Sequence, residues 1–279
     1  MPYAIGPDGN RLWTTRSQAP AGPPVVLCHG GPGLWDYLDP LVTLLPADRQ
    51  LIRFDQRNCG RSAGPADYRL GTALDDLETV RRHWDVERWI VVGHSYGASL
   101  ALAYAWRHPE RVAGLGYLSG TGPGTDWRPR YRAERARRLG PERERRLRRL
   151  QAVETRTPAE ERELRTLAWF TDHAEPETGE RWAAEDAAAP WPVNEAANRE
   201  LGAAVEWRAA DALKHTARSR VPALFVHGDA DPRPWEGARR LAGALPGAVW
   251  RLLPGTGHHP WRESPRELAV ALTELLGRV

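Results

Sequence analysis

The 279-residue chain has no run approaching the ~20 consecutive apolar residues of a bilayer-spanning helix. Its start, Met1-Pro2-Tyr3-Ala4, lacks the charged segment and apolar stretch of a secretion signal. The sequence therefore predicts a cytoplasmic protein with no membrane partner. Cysteine is scarce: Cys28 and Cys59 alone cannot build a disulfide framework or a four-thiolate zinc site, and both are expected as reduced thiols. Lysine is nearly absent. Lys214 is the single one, so 38 of the 39 basic residues are arginine.

The net charge of +3 has one source. Between Arg128 and Arg149 eleven arginines stand against three glutamates, a local +8, which leaves the rest of the chain at −5. Abundant Ala, Gly and Pro beside the arginine suggest a GC-rich genome, and arginine number alone then says little about nucleic acid. The run has no series of interleaved stacking aromatics, Tyr131 standing alone in it, and Glu142/Arg146 and Glu144/Arg148 have the i,i+4 spacing of surface pairs. A solvated helical face is expected there, with no nucleic-acid partner.

With 27% charged and 41% apolar residues the chain can bury one large core, and a single domain with an insertion is expected. Short apolar runs alternate with helix-like stretches, the pattern of an α/β protein with a mostly parallel sheet. The runs are Pro24 to Cys28, Leu51 to Phe54, Trp89 to Val92, Val112 to Leu118, Ala223 to Val226 and Val249 to Leu253. Leu74, Leu77, Val80 and Trp84 mark one buried helical face, and Ser264/Glu267 and Thr157/Glu160 have capping-box spacing with proline at the first helical position. From Thr121 to Arg220 strand signals vanish, which predicts a helical cap (121–220) inserted into a core made of 1–120 and 221–279.

Ser, Asp and His follow the strand ends, the edge at which open parallel sheets bind ligands. Gly93-x-Ser95-x-Gly97 stands between a strand and a helix, the setting of a nucleophile on a tight turn where only very small neighbours fit. A serine needs a base, and the base an acid to fix its tautomer. Asp231 follows Ser95 by 136 residues and His258 follows Asp231 by 27, each after a strand. His259 rivals His258, and Asp229 and, more remotely, Asp126 rival Asp231. The Tyr96 N–H, directly after the nucleophile, and the Gly31 N–H, in the loop His29-Gly30-Gly31-Pro32-Gly33, are the candidate oxyanion donors. His29 reads as a structural histidine. No cofactor and no metal site is expected.

The loop His29 to Gly33, the turn Asp55-Gln56-Arg57-Asn58-Cys59-Gly60-Arg61-Ser62, the Ser95 elbow and Gly257-His258-His259-Pro260-Trp261 together resemble the α/β-hydrolase superfamily. The first two look like its proline iminopeptidase branch. The resemblance covers roughly 20–120 and 221–279. It implies an α/β-hydrolase fold, an eight-stranded, mostly parallel sheet with helices on both faces and a helical cap after the sixth strand, and it supports Ser95, Asp231 and His258 as a triad with Gly31 and Tyr96 at the oxyanion. Three departures stand out. Asn58 replaces a usual Gly, His94 and Tyr96 flank the serine as in general esterases, and the cap acids that would hold a free amine are not fixed among Asp172, Glu175, Glu195 and Glu206. The implied activity is that of a serine aminopeptidase or amidase on small peptides or amino-acid amides. An esterase, lactonase or acyl-transferring enzyme on a small molecule is the alternative, and a non-catalytic ligand-binding protein the remote one. Trp169, Trp182, Trp191 and Trp207 are candidates for an aromatic pocket or for packing.

Overall fold

The computed structural model describes residues 2–19 and 21–279; Met1 and Pro20, which fall in the ranges read above, lie outside it. A short hairpin, β1 (Tyr3–Ile5) and β2 (Arg11–Arg16), is followed by β3 (Ala21–Cys28), α1 (Asp39–Val42), β4 (Arg49–Phe54) and α2 (Leu70–His83). Next come β5 (Trp89–His94), α3 (Tyr96–Arg107) and β6 (Val112–Leu118). Five helices then run without a strand: α4 (Trp127–Gln151), α5 (Pro158–Trp169), α6 (Pro176–Ala187), α7 (Glu195–Ala204) and α8 (Ala209–Arg218). The chain returns to the sheet with β7 (Ala223–Gly228), α9 (Glu236–Ala244) and β8 (Val249–Leu253), and ends in α10 (Pro260–Glu263) and α11 (Pro265–Leu276).

The strands form one sheet in the order β1-β2-β4-β3-β5-β6-β7-β8. The β1/β2 and β2/β4 pairings are antiparallel, and every pairing from β4 to β8 is parallel. Parallel strands buried on both faces read as continuous apolar runs, which is why β5, β6, β7 and the end of β3 stand out in the sequence; β4 and the edge strand β8 show shorter apolar stretches around Arg53 and Arg251, and the partly polar hairpin gives no such run. Alternate residues serve opposite faces. Val26, Val91, Tyr117 and Phe225 pack against α2, α3 and α9, whereas Val25, Leu27, Val92 and Val226 pack against α1 and α11. On α2 the spacing of Leu74, Leu77 and Val80 buries all three, each worth about 1.5–3 kcal/mol in transfer terms.

Between β6 and β7, Leu139, Leu147, Leu150, Leu167, Phe170 and Ala183 form a separate small core joining α4, α5 and α6. Helix α5 begins with the Thr157/Glu160 capping box, both of its reciprocal bonds being present. The expected box at Ser264 does not form, because the Ser264 hydroxyl lies 2.5 Å from the Thr256 hydroxyl on the loop after β8 and is spent there. Helix α4 breaks at Gly140 (φ 71°), next to Pro141, so the arginine run is two helices. Arg148 pairs with Glu144 as its spacing suggests, but Arg146 crosses to Glu163 of α5.

Candidate active site

The Ser95 backbone has φ 57° and ψ −119°, a conformation rare for a side-chain-bearing residue and a local store of strain. The surroundings enforce it. A Cβ on Gly93 would fall on the backbone of Gly97, and one on Gly97 would fall on the Cys28 carbonyl of β3. The turn is tied to the next strand by the Ser95 N–H, which donates to the Leu118 carbonyl at 2.8 Å.

The loop after β3 is held from beneath by the turn after β4. The Gln56 N–H donates to His29 Nε2 at 3.0 Å and the Gln56 carboxamide to the His29 carbonyl at 2.7 Å, while the Asp55 carboxylate accepts the N–H groups of Asp36 (2.7 Å) and Arg61 (2.9 Å). His29 is fully buried and occupied in this scaffold. Arg57 forks onto the buried Asp76 at 2.6 and 2.9 Å and also reaches Asp8 at 2.6 Å. Asn58 has φ 54°, a left-handed position that Asn tolerates best after Gly, which accounts for its standing where the related branch has Gly.

Helix α7 is stitched to the same corner. The Asn194 N–H donates to the Gly33 carbonyl at 2.8 Å, its side chain to the Asn58 carbonyl at 3.1 Å, and the Asn198 side chain to the Pro32 carbonyl at 2.7 Å.

Beyond β7 and β8, His258 Nδ1 lies 2.6 Å from Asp231 Oδ2. The other Asp231 oxygen accepts the Arg233 N–H at 2.8 Å and lies 3.5 Å from the Arg233 guanidinium. That guanidinium grips Asp172 at 2.9 and 3.2 Å, and the Asp172 carbonyl accepts the His258 N–H at 2.7 Å. Burial, and secondly the Arg233 charge, hold the His258 imidazole well below its usual pKa, so it rests neutral. Asp229 instead accepts the Gly255 N–H at 2.7 Å, and Asp126 is exposed at the start of α4. His259 stacks on His173 at 4.8 Å, and its Nδ1 has no partner among the described residues.

Ser95, His258 and Gly31 line one cavity of about 690 Å³, closed from the β6–β7 helices by Tyr131, Trp169 and Asp172. Asp231 lies behind His258, and Tyr96, the first residue of α3, directly follows Ser95. Both cysteine thiols are buried and unpaired, Cys59 being pushed up to about 12 by burial. Among the described residues, no group of three or more His, Cys, Asp or Glu is arranged to hold a metal, and no helix is long and apolar enough to cross a membrane.

Of the four acids singled out between β6 and β7, Asp172 alone reaches the cavity; Glu175 and Glu195 are exposed, and Glu206 is bonded to Arg128. Sequence reasoning missed Glu185 and Asp186, which line the cavity at the end of α6 and share Arg262, at 3.2 and 2.6 Å. It also missed Tyr37, Arg135 and Arg233, whose places depend on long-range packing. Trp169 lines the cavity, Trp182 packs on His173 and Trp207 on Trp106, while Trp191 is half-buried outside the lining.

A family model described as alpha/beta hydrolase fold matches residues 23–264. A probable proline iminopeptidase of Leptolyngbya boryana is 39% identical over 113 residues, 37% of this chain and 33% of that protein. A proline iminopeptidase of Arabidopsis thaliana is 37% identical over 121 residues, 41% of this chain and 32% of that protein. The chain thus spans about a third of the length of these curated relatives. Among solved structures, a proline iminopeptidase of Mycobacterium smegmatis superposes with a TM-score of 0.73 at 21% identity, over 99% of this chain and 97% of that one. An esterase from Exiguobacterium antarcticum superposes with a TM-score of 0.74 at 18% identity, over 99% and 98%. At such identities the likeness is one of fold.

Proposed function

The chain belongs to the alpha/beta hydrolase family, and from that premise we propose that it is a serine hydrolase working through an acyl-enzyme. The observation that carries the proposal is the 2.6 Å bond between His258 Nδ1 and Asp231 in the wall of the cavity that Ser95 also lines. With Nδ1 engaged, Nε2 of the neutral imidazole is the nitrogen that takes the Ser95 proton as Oγ attacks an acyl carbon. Asp231 then stabilises the imidazolium, which returns the proton to the leaving amine or alcohol, and water clears the acyl group. The N–H groups of Gly31 and Tyr96 serve the oxyanion; losing one such donor typically costs about 100- to 1000-fold in kcat.

The substrate of this reading is a small peptide or amino-acid amide with a free N-terminus. Two features support it: the proline-iminopeptidase-like segment, and the sharing of the single guanidinium of Arg262 by Glu185 and Asp186, which leaves carboxylate capacity for an amine. One observation favours the alternative, an esterase, lactonase or acyl-transferring enzyme. Arg233 occupies Asp172, and Leu34, Trp35 and Trp169 give the cavity an apolar wall that suits a neutral acyl group.

Three measurements test the proposal. A fluorophosphonate should label Ser95, Ser95→Ala should abolish turnover, and Asp231→Asn should lower kcat by about 10⁴. Free prolyl and alanyl amides set against p-nitrophenyl esters then separate the two substrate classes. Unchanged turnover in Ser95→Ala would end the mechanism.

A further inference from the structure

Three arginines line the cavity, and two of them are paired with carboxylates. Arg233 is bonded to Asp172 and faces Asp231, and Arg262 is held between Glu185 and Asp186. The third, Arg135, has no hydrogen bond or salt bridge with any described residue, and its Nε is buried without a partner. Within the arginine run the lack of any pairing sets it apart, for Arg128, whose Nε is also buried without a partner, holds Glu206 through a terminal nitrogen. Arg128, Arg130, Arg137, Arg138, Arg143, Arg146 and Arg148 all hold glutamates. Arg132, Arg145 and Arg149 hold none, but they are exposed and water serves them.

A guanidinium presents five donors in a planar fork suited to a carboxylate, and a donor kept from both water and an acceptor costs free energy until one arrives. Arg135 lies one helical turn after Tyr131, which also lines the cavity, so the two share the face of α4 turned toward Ser95 and His258. None of the cavity carboxylates is bonded to it: Asp172 is held by Arg233, and Glu185 and Asp186 are on Arg262.

We infer that Arg135 anchors a carboxylate carried by the substrate, away from the bond that is cleaved. The inference rests on the serine-hydrolase reading of the same cavity and narrows its substrates to monoanionic acyl compounds or to short peptides with a free C-terminus. The carboxylate is the chemistry common to both. A peptide whose amine sits at Glu185 and Asp186 and whose carboxylate sits at Arg135 would be held at both ends.

The test compares the p-nitrophenyl ester of glutaric acid, with its second carboxyl free, against the same ester with that carboxyl methylated. Both are assayed with the unaltered protein, Arg135→Gln, Arg135→Lys and Arg132→Gln. The expected result is that Arg135→Gln lowers the preference for the free acid by about tenfold, through KM more than kcat, the loss of one charge-assisted hydrogen bond. Arg135→Lys should recover part of the preference, and Arg132→Gln should retain it. Prolyl-alanine against prolyl-alaninamide distinguishes a peptide terminus from a small-molecule acid. Calorimetric titration with glutarate reads the same site without turnover and should show weaker binding to Arg135→Gln. Equal glutarate affinity in the unaltered protein and Arg135→Gln would overturn the inference. A Ser95 that no fluorophosphonate labels would overturn the catalytic reading alone, with the titration still deciding on Arg135.

Discussion

His94 Nε2 lies 2.8 Å from the carbonyl oxygen of His258, so the residue before the candidate nucleophile is bonded to the backbone of the candidate base. A carbonyl only accepts, so Nε2 carries the proton and Nδ1 is the acceptor, which Tyr37 supplies with its hydroxyl at 2.7 Å. The Tyr37 oxygen in turn accepts the Gly30 N–H at 2.9 Å. Three loops from three strand ends are therefore held by one chain of hydrogen bonds. Burial holds the His94 pKa down at about 3, so the tautomer stays fixed over the working range of pH.

Tyr37→Phe keeps the ring and removes the link, leaving the Gly30 N–H and His94 Nδ1 unpaired in a buried place. A loss of about 1–3 kcal/mol in unfolding free energy is expected, with a fall in kcat larger than any change in KM. Urea unfolding and steady-state kinetics on the same preparation read both. An unaltered kcat would show that the relay does not position the site.

The depressed pKa of His258 fixes the sign of the pH response. In the proposed mechanism the neutral imidazole is the base, so kcat/KM should be flat through neutrality and fall only as the pH drops through a value well below 6.5. A rate profile from pH 4 to 8 suffices, and an acid limb centred at or above 6.5 would contradict the assignment of His258.

Acid should also destabilise the fold. His29, His94, His258 and His259 are all shifted down by burial. In the unfolded chain each takes up a proton near pH 6.5, so the unfolded state binds more protons below that value. The stability these groups allow is complete above about pH 6.5 and is lost as the pH falls toward their folded values, by up to about 1.4 kcal/mol per unit for each. Asp36, raised to about 6 by burial, and Asp76 and Asp186, raised by burial as well, act with the opposite sign over part of the range, three groups against four. The urea midpoint should be lower at pH 5 than at pH 7.

Arg57→Ala strips the guanidinium from Asp76, which is buried and whose other side-chain contact is the Asn10 carboxamide at 3.0 Å. An uncompensated buried carboxylate costs about 3–5 kcal/mol. The loss should show in the thermal midpoint, and a double substitution of Arg57 and Asp76 by apolar residues should recover part of it.

Gly93→Ala should give little folded protein, since its methyl group would occupy the backbone of Gly97, at a cost of about 3 kcal/mol or more. Circular dichroism and soluble yield decide it, and a folded, active Gly93→Ala would refute the steric account of the elbow.

What could be read from the sequence depended on how local the signal was. Strands β5, β6 and β7 are buried on both faces and announce themselves, and residues 24–28 of β3 and the shorter apolar stretches around Arg53 in β4 and Arg251 in β8 still carry a signal, whereas β1 and β2 carry Arg11, Thr14 and Arg16 and were implied only by resemblance. Thr157 formed its capping box because nothing competed; Ser264 did not, because Thr256 was within reach. The Ser-x-x-Glu pattern is the same in kind, and a tertiary neighbour decided between outcomes. Tyr37 and His94 are 57 residues apart, and His94 and His258 are 164 apart. No periodicity carries such a link. Arg135 was hidden for another reason: its ten arginine neighbours in the run look identical on paper, and only the packing of α4 against the cavity singles it out.

The three bonds from Asn194 and Asn198 to Gly33, Asn58 and Pro32 have a mechanical consequence. They weld the start of α7 to the peptide segment that holds Gly31, so lifting this end of the helical layer would drag the proposed oxyanion donor out of register. The corner at Asn194 is thereby a fixed pivot, not a door.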